Sequence, residues 1–480
     1  MMKRLKPAAL LVAAAILLTG CASSELLTEK DAAVVGSAWN ADAGVSLSEG
    51  AQAASRADWW KAWNDAELQA LVDRATAEST DVRTALANLK NAAAAADKAT
   101  ADLFPSFDLG GNGSRTHKEN QGSEVSWSAK ASGSWSISLL GGNLAERRAA
   151  RYEALASVLT LEDVKNAAAS ETASDYVALK LALLKRRIAE ATLKNYEEAG
   201  EIAQWRYAAG LIDQSEVDQA VSNRESARAA LALTEKSIVQ YRNALARLTV
   251  QNAADVKVTD DGLIPSAPLN LAVSVPAETL KQRPDLRSAQ LSVAAASDRV
   301  YKAKTQWFPS LTLTGSIGTQ AATIGTLGAS GTGVAALAGA LAMPLLNWGE
   351  QVTATQQAQA TLEKARASYL DTLLKALEET ENALTSIHTA QTRVSPLKAA
   401  LQSAESAADL TMKSYRSGLV DYQNVLNTQR SLLAARESAC TNDADLATGL
   451  ITLYSALGGA WTPTEAQAET LKNLDEAQSR

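Results

Sequence analysis

The side chains best suited to chemistry are carboxylates that directly follow two Gly-Leu turns: Asp213, Glu216 and Asp218 after Gly210, and Asp421 after Gly418. A carboxylate at such a position either caps the helix that follows or adds charge to a solvated helix face. Catalysis is not indicated, because no nucleophile is paired with a histidine base at a recognisable motif. The sequence therefore predicts a protein that is not an enzyme.

Histidine and cysteine offer little metal or redox chemistry here. His117 and His388 are far apart in the sequence and form no His/Cys cluster with zinc spacing, so we expect both to be polar surface residues. Cys440 lies among Ala, Ser and Leu at helical spacing, which predicts a small buried side chain. If Cys21 carries lipid, Cys440 has no partner, and we expect neither a disulfide framework nor a cofactor.

The first 20 residues have the pattern of a secretory signal peptide. Three basic residues precede the apolar run from Ala8 to Leu18, which is shorter than the ~20 residues of a transmembrane helix. The sequence LTGC that ends at Cys21 resembles the bacterial lipobox, so we predict an acylated Cys21, with an ordinary cleaved signal as the alternative. Ala22, rather than an Asp, follows this cysteine and favours the outer membrane.

Composition favours long helices over a compact mixed core. The 480 residues are rich in Ala and carry charges of both signs, with a formal net charge of −7. Because nucleic-acid-binding proteins carry basic clusters, we expect no nucleic-acid partner.

Leu68, Leu71 and Val72 have the i, i+3, i+4 spacing of an amphipathic helix, whose pattern runs to about Leu103.

Two very long helical patterns lead to the Gly-Leu turns, and two shorter ones lead back. The outgoing patterns cover residues 143–209 and about 350–417, and the returning ones cover 214–248 and about 422–457. The first is interrupted at Gly200, and Pro396 is predicted to kink the second outgoing helix. The first outgoing pattern would span about 100 Å, a length typical of coiled coils and helical tubes.

Strict alternation replaces the helical period between Val125 and Leu139. Odd positions are apolar or small and even positions are Ser or Lys, over a length unusual for a soluble strand. An apolar face opposite a polar face is what a transmembrane barrel strand needs, and residues 106–116 are the predicted partner strand. Trp127 and Trp135 lie on the apolar face about 26 Å apart, a spacing that fits the two aromatic girdles of a membrane. One face of a soluble β-sandwich is the alternative.

The sequence contains two internal repeats of one unit. Phe308-Pro309-Ser310 repeats Phe104-Pro105-Ser106, and Gly418 repeats Gly210. We predict a first repeat at 58–248, with a β-hairpin at about 105–139 and a helical hairpin at about 143–248. The second repeat is predicted at 277–460, with a β-hairpin at about 309–344 and a helical hairpin at about 350–457. The other predicted segments are a signal peptide at 1–20, a lipidated arm at 21–57, a linker at 249–276 and a polar tail at 461–480.

Several motifs occur in a characteristic order: WWxxWxD from Trp59, RPDLR from Arg283, the two Phe-Pro-Ser segments, YRSGL from Tyr415, and the lipobox. Together they resemble the outer membrane factor (TolC/OprM-like) family, in the lipoprotein branch associated with multidrug efflux. The resemblance covers about residues 58–460, nearly the whole mature chain.

The resemblance implies a homotrimer. Three chains with four strands each would close a twelve-stranded barrel, and their helices would form a periplasmic tube. The resemblance also implies the outer-membrane channel of a tripartite efflux system, which exports small molecules. The implied partners are outer-membrane lipid, a periplasmic adaptor and an inner-membrane pump, proton-driven and of the RND type. The resemblance also implies that Cys21 carries palmitate.

The resemblance assigns the turns around Gly210 and Gly418 two roles, adaptor docking and closure of the tube. Tyr415 and Arg416 match family residues that precede the tip glycine, and they are expected to link neighbouring hairpins. A gate of this kind needs a hairpin with two packings of similar energy, biased by the partner.

The acidic ring of the family is altered in this chain. Relatives commonly place aspartates six and nine residues after the second tip glycine, where this sequence has Asn424 and Asn427. An acidic ring is therefore expected from Glu216, beside Asp213 and Asp218, or from Asp421. Ordinary helix capping or a solvated helix face is the alternative for each of these residues.

Two other functions fit parts of the sequence. The same fold also serves as the outer-membrane duct of a type I protein secretion system, although a lipid anchor argues against that role. In a different class, the chain would be a periplasmic coiled-coil scaffold or adaptor with a soluble β domain.

Overall fold

The computed structural model describes residues 59–118, 122–266, 283–344 and 348–459. The helices are α1 (Ala66–Glu78), α2 (Thr80–Ala101), α3 (Gly142–Ala208), α4 (Gln214–Leu248), α5 (Pro284–Thr305), α6 (Trp348–Arg416) and α7 (Tyr422–Ala456). The strands are β1 (Ser106–Lys118), β2 (Gly122–Ser138), β3 (Ser310–Ala321) and β4 (Gly333–Ala342). Helix, β-hairpin and helical hairpin thus follow one another twice. The signal peptide, Cys21 with its arm, the later part of the linker and the polar tail lie outside the described residues.

The helix predicted from Leu68 to about Leu103 is divided at Ser79, so that prediction is wrong. The backbone of Ser79 is extended at ψ 149°, and its N–H ends α1 on the carbonyl of Ala75. Its Oγ accepts the N–H of Val82 at 3.3 Å. Serine competes with the helical backbone in this way and favours the N-cap position. Ser79 therefore starts a second helix, although the apolar period continues through this position and predicts a single helix.

Helices α3 and α6 are the long arms of the molecule. They contain 67 and 69 residues, or roughly 100 Å each at the rise of an α-helix. The first arm continues through Gly200, as the length of its pattern predicts, and α6 likewise continues on both sides of Pro396. Within the described ranges, no helix combines the length and the apolarity needed to cross a membrane.

The four strands form one antiparallel sheet in the order β1-β2-β3-β4. Opposite residues share a face, so the register sorts the side chains of the whole sheet. One face, here called the apolar face, carries Phe107, Leu109, Trp127, Trp135, Leu313, Ile317, Leu337 and Leu341. The opposite polar face is mostly Ser and Thr on β1 to β3 and Ala on β4. Leu109 and Leu337 are 87% and 89% exposed, so nothing among the described residues covers the apolar face.

Aromatic rings on the apolar face lie over glycines of the neighbouring strand. A Cβ on Gly113 would come 2.6 Å from the indole of Trp127, and one on Gly133 would come 2.9 Å from the ring of Phe107. Trp135 lies at the junction with the helices, where its Nε1 donates to the carbonyl of Leu103 at 2.9 Å. The two tryptophans are therefore at different heights on one face, as the alternation predicts.

The outer strands β1 and β4 each pair on one side within the described chain. Their free edges present unpaired backbone donors and acceptors along the length of the sheet. Since such edges are not tolerated in a lipid environment, this sheet must be completed by another strand if it lies in a membrane.

The helices are held together near the middle of the arms by a core around Trp59. Its indole stacks on the ring of Tyr454, with centroids 5.3 Å apart, and so ties the start of the described chain to α7. The hydroxyl of Tyr176 on α3 donates to Asp65 at 2.7 Å. The described part of the predicted linker packs against the same region, because Lys180 donates to the carbonyl of Thr259 at 3.1 Å.

A second anchor lies at Arg283, which precedes α5 and is 7% exposed. Its guanidinium pairs with Asp285 at 2.7 Å and Glu379 at 2.9 Å, and donates to the carbonyl of Ala456 at 2.8 Å. The residue therefore joins the start of α5, the middle of α6 and the end of α7. Nearby, burial and the charge of Asp285 raise the pKa of Asp163 from 3.8 to about 6.

The remaining predictions for single residues concern His117, His388 and Cys440. His117 lies on β1 with its ring nitrogen 3.2 Å from the hydroxyl of Ser123, and His388 is exposed on α6. Cys440 is buried on α7, as its helical surroundings predict, and burial raises the pKa of its thiol.

Candidate functional site

The candidate site is formed by the two turns at the ends of the helical hairpins, here called the tips. In the first tip, Gly210 has φ +73° and the N–H of Leu211 reaches the carbonyl of Arg206 at 2.9 Å. Gly418 has the same φ, and the N–H of Leu419 makes the corresponding bond. A residue without Cβ is favoured in this left-handed conformation, which explains why both turns contain Gly.

Each tip is completed by an aspartate three residues after its glycine. Asp213 accepts the N–H of Glu216 at 3.2 Å and the hydroxyl of Ser215 at 2.6 Å. These bonds, with that of Ser215 the largest contribution, lower the pKa of Asp213. Asp421 accepts the N–H of Asn424 at 3.1 Å. Both aspartates are thus N-caps, of α4 and α7, and hold the return helices to their turns.

Glu216 links the two hairpins. It lies in the first turn of α4, and its Oε1 accepts the N–H of Tyr422, the first residue of α7, at 3.0 Å. The first N–H groups of a helix have no partner within the helix, and the helix dipole favours negative charge at that end. A carboxylate of one hairpin therefore caps the return helix of the other.

Tyrosine and arginine side chains form a second set of contacts between the hairpins. The guanidinium of Arg206 in the first hairpin lies 5.2 Å from the ring centre of Tyr415 in the second. Within the second hairpin, the rings of Tyr415 and Tyr422 are 6.0 Å apart. Both tyrosines are fully buried, and burial is the main reason that their pKa values are raised. Arg416 forms an ion pair with Glu198 of α3. The residues predicted to link the hairpins, Tyr415 and Arg416, therefore do make contacts between them in this conformation.

A small apolar core lies directly behind the tips and includes residues of all four hairpin helices: Tyr196, Ala199, Ala203, Ala220, Met412, Tyr415, Tyr422, Val425 and Leu426. Behind it, Asn195 donates to the buried Gln429 at 3.0 Å. The alanines allow the helices to approach closely. The hairpins therefore pack side by side up to the turns, and the tips share one environment.

The other predicted residues point to solvent in the single chain. Asn424 and Asn427 are exposed on α7, and Asp218 is exposed on α4, where it accepts a bond from Gln214 at 2.9 Å. Asn424 and Asn427, which replace the acidic ring of relatives, thus lie on one side of α7, beside the exposed Asp421. The Asn424 side chain is held to the cap, because its Nδ2 donates to Asp421 at 2.6 Å.

Sequence reasoning missed an apolar surface at the tips. Leu211 and Leu419 are 68% and 78% exposed, and Trp205, one and a half turns before Gly210, is 68% exposed. The signal was present, because a Leu follows the tip Gly in both hairpins. We define the tip patch as Trp205, Leu211 and Leu419.

The same chain architecture occurs in known proteins. The family model for outer membrane efflux proteins matches residues 71–250 and 275–459. The pyoverdine export outer membrane protein OpmQ of Pseudomonas aeruginosa is 29% identical over 425 residues, covering 84% of this chain and 87% of OpmQ. The outer membrane protein OprJ of the same species is 27% identical over 466 residues, covering 95% of this chain and 97% of OprJ.

Solved structures agree with this relationship. The open state of the Neisseria gonorrhoeae MtrE outer membrane channel superposes with a TM-score of 0.75 at 25% identity, covering 89% of this chain and 96% of MtrE. The shared fold is the one described above, long helical hairpins with a small sheet. The resemblance predicted from the motif order is confirmed, and the chain belongs to the outer membrane efflux protein family, whose members are outer-membrane efflux channels.

Proposed function

We propose that this chain is the outer-membrane channel of a tripartite efflux system and that it works as a homotrimer. The observation that carries the proposal is the sheet, which within the described residues has two free edges and an exposed apolar face. Joining β1 of one copy to β4 of the next satisfies both edges, and three copies close a barrel of twelve strands. The two halves of each chain would then be a duplicated unit that supplies two β-hairpins and two helical hairpins.

The sorting of side chains by the register supports the orientation of this barrel. The apolar face, with Trp127 and Trp135, would contact lipid, and the Ser- and Thr-rich polar face would line a wet lumen. The helices α3 and α6 leave the sheet directly and would continue the lumen as a periplasmic tube of about 100 Å. Acylation of Cys21 would add a lipid anchor at the membrane end.

The tips would meet the periplasmic partner. The tip patch leaves two leucines and a tryptophan in water, and exposed apolar groups of this kind favour a protein contact. A periplasmic adaptor that covers Leu211 and Leu419 would connect the tube to an inner-membrane pump, for which a proton-driven pump of the RND type is the proposed partner. Small molecules would be the cargo.

The contacts between the hairpins would hold the periplasmic end closed. Arg416–Glu198 is an exposed pair, and exposed pairs contribute only about 0–1 kcal/mol, so it exchanges at little cost. The Glu216 cap on Tyr422 must also break if the hairpins separate. We propose that Asp421 and Glu216, with Asp213 and Asp218 nearby, supply negative charge at this opening, while Asn424 and Asn427 reduce it relative to relatives with aspartates there.

The test is to express the full-length chain and follow it to the membrane. We expect trimers in the outer-membrane fraction that change mobility on heating, and ion conduction when the purified trimer is added to a planar lipid bilayer. Substitution Cys21→Ser is the matched control. It removes the proposed lipid anchor without changing the sheet, and so separates the contribution of the anchor from that of the barrel. A soluble monomer would overturn the proposal and favour a periplasmic scaffold. Trimers that conduct neither as the wild type nor as Glu216→Ala, in which the contact with Tyr422 is lost, would exclude a channel.

A further inference from the structure

Lys130 lies at the middle of β2, on the polar face of the sheet. In register, its direct neighbours are Gly110 on β1 and Gly318 on β3. Both strands beside the lysine therefore lack a side chain at this height. The neighbouring positions of β2 on the same face are Ser128 and Ser132, which are short and uncharged.

The glycine on β3 makes room for the stem of this lysine. A Cβ on Gly318 would come 2.9 Å from Cγ of Lys130 and 2.2 Å from the carbonyl oxygen of Ala129. The stem thus occupies the space that a side chain at position 318 would fill. By contrast, a Cβ on Gly110 would meet nothing within 4 Å. The lysine is therefore positioned by one flank and open on the other.

Charge on the polar face is sparse near Lys130. Within the described residues, no carboxylate oxygen lies within the 4.0 Å salt-bridge distance of its ammonium group. Asp108 of β1 is the closest acidic position in the register and lies opposite Ser132, diagonal to the lysine. The next, Glu124, is six residues away along β2 towards the hairpin loop. The ammonium group is thus an isolated positive charge among hydroxyls and glycines.

We propose that Lys130 is a selectivity-determining residue, which attracts anions, or anionic groups of a cargo, halfway along the membrane pore. This inference rests on the proposed trimeric channel, in which the polar face lines the lumen and three copies of Lys130 form a ring. Rings of Lys or Arg favour anions in narrow pores, and substitutions on a barrel lumen tune selectivity. Asp108 lies beside each lysine and limits the strength of the ring.

The first test measures ion preference. Purified full-length trimers are placed in a bilayer with a KCl gradient, and the reversal potential gives the chloride-to-potassium permeability ratio. We expect Lys130→Gln to lower this ratio at least about twofold, because removing the ring lowers the local anion concentration. Lys130→Glu should lower it further, and Lys130→Arg should leave it unchanged. Asp108→Asn should raise it.

The second test isolates the barrel from the tips. Tripolyphosphate is added to the side of the bilayer opposite the helical tube, where the barrel opens. Block of the potassium current is then recorded. A larger concentration should be needed for half block of Lys130→Gln than for the wild type or Lys130→Arg. Because this anion enters through the barrel, charges at the tips do not decide the result.

The outcomes separate this inference from the proposed function. If neither wild-type trimers nor Glu216→Ala trimers conduct, the channel itself is contradicted. If they conduct but Lys130→Gln has wild-type permeability ratio and block, Lys130 does not act on ions in the lumen. Should Lys130→Glu fail to assemble, Lys130→Gln, which removes a charge without adding one, decides the question with Lys130→Arg as its control.

Discussion

Glu216 of the first hairpin caps the N-terminus of the second return helix through the N–H of Tyr422, 3.0 Å from its Oε1. The two residues are 206 positions apart in the chain, and each lies within the first turn of its own helix. This bond joins the two tips more directly than the ion pairs around it, because a charged acceptor meets a backbone donor that has no other helical partner.

Removing this cap should favour the open channel. In Glu216→Ala the N–H of Tyr422 loses its acceptor, which costs the joined state about 1–2 kcal/mol and raises the open fraction roughly tenfold. Glu216→Gln keeps an acceptor without charge and should have a smaller effect. Single-channel recording measures the open fraction, with Glu225→Ala as the control because the Glu225 carboxylate pairs with Arg228 of the same helix at 3.0 Å. Equal open fractions in Glu216→Ala and wild type would contradict a role in closure.

Loss of the Arg283 guanidinium should destabilise the helical body. Arg283→Met leaves Asp285 and Glu379 near one another without their cation, and breaking a buried pair costs about 3–5 kcal/mol. Arg283→Lys should recover part of this loss, since Lys retains charge but not the forked geometry. Thermal unfolding of the detergent-solubilised trimer, followed by circular dichroism, measures the change.

The control for this prediction is Lys375→Met. Lys375 pairs with Asp371 at 2.8 Å on the surface of α6, with both side chains more than 60% exposed. An exposed pair contributes about 0–1 kcal/mol, so little change in melting temperature is expected. Similar losses in the two variants would mean that burial at Arg283 is not what makes its pairs important.

Asp163 should make stability depend on pH. Its pKa is raised from 3.8 to about 6, so the folded protein binds this proton more tightly than the unfolded chain does. For this group, stability is therefore highest below about pH 4, falls as pH rises to about 6, and stays lower above that. Asp163→Asn should stabilise the trimer by about 3 kcal/mol at pH 7 and have no effect near pH 4.

Melting temperatures across this pH range test the sign. Asp97→Asn on the exposed face of α2 is the matched control, with the same chemical change outside the core. A stabilisation by Asp163→Asn that is equal at pH 4 and pH 7 would show that the gain comes from something other than the ionisation of Asp163.

Gly318 should be required for assembly of the sheet, whereas Gly110 should not. In Gly318→Ala the new Cβ would lie 2.2 Å from the carbonyl oxygen of Ala129, and shifting the backbone costs about 1–3 kcal/mol. Gly110→Ala adds the same methyl group on the other side of Lys130, where no atom lies within 4 Å. The yield of heat-modifiable trimers should fall only in Gly318→Ala, and equal yields would contradict the close approach.

The tip patch should be needed for adaptor binding. Leu419→Asp replaces an exposed apolar side chain with a charge, and losing its burial by the partner would cost about 1.5–3 kcal/mol, roughly tenfold or more in affinity. Leu233→Asp is the control, because Leu233 is 66% exposed on α4 but lies far from the tip. Binding of the immobilised trimer to the adaptor from the same bacterium measures both. Equal affinities would place the docking surface elsewhere.

Local signals in the sequence predicted the elements well where a cap or a change of period marks them. Both ends of α4 agree with the residues predicted, because Asp213 caps one end and the helical period stops at Leu248. The alternation from Val125 to Leu139 likewise predicted most of β2, which the structure extends to Gly122. In each case the information lies within a few residues.

Features that depend on how distant segments meet could not be predicted. The division at Ser79 interrupts no apolar period, so its side-chain cap was visible only in three dimensions. The contact of Glu216 with Tyr422 depends on the relative placement of two hairpins, each of which reads as self-contained. The exposed leucines of the tip patch show the same limit, since burial is a property of the packed helices.

The free edges of the sheet have a genetic consequence. In a barrel of three chains, every copy supplies one edge to each neighbour. A copy with a damaged edge therefore prevents closure of any barrel that it joins. If half of the copies in a cell carried a proline in the middle of β1 or β4, only about one ring in eight would be free of them. Such an allele would be dominant over the wild type, whereas an allele that abolishes expression would be recessive.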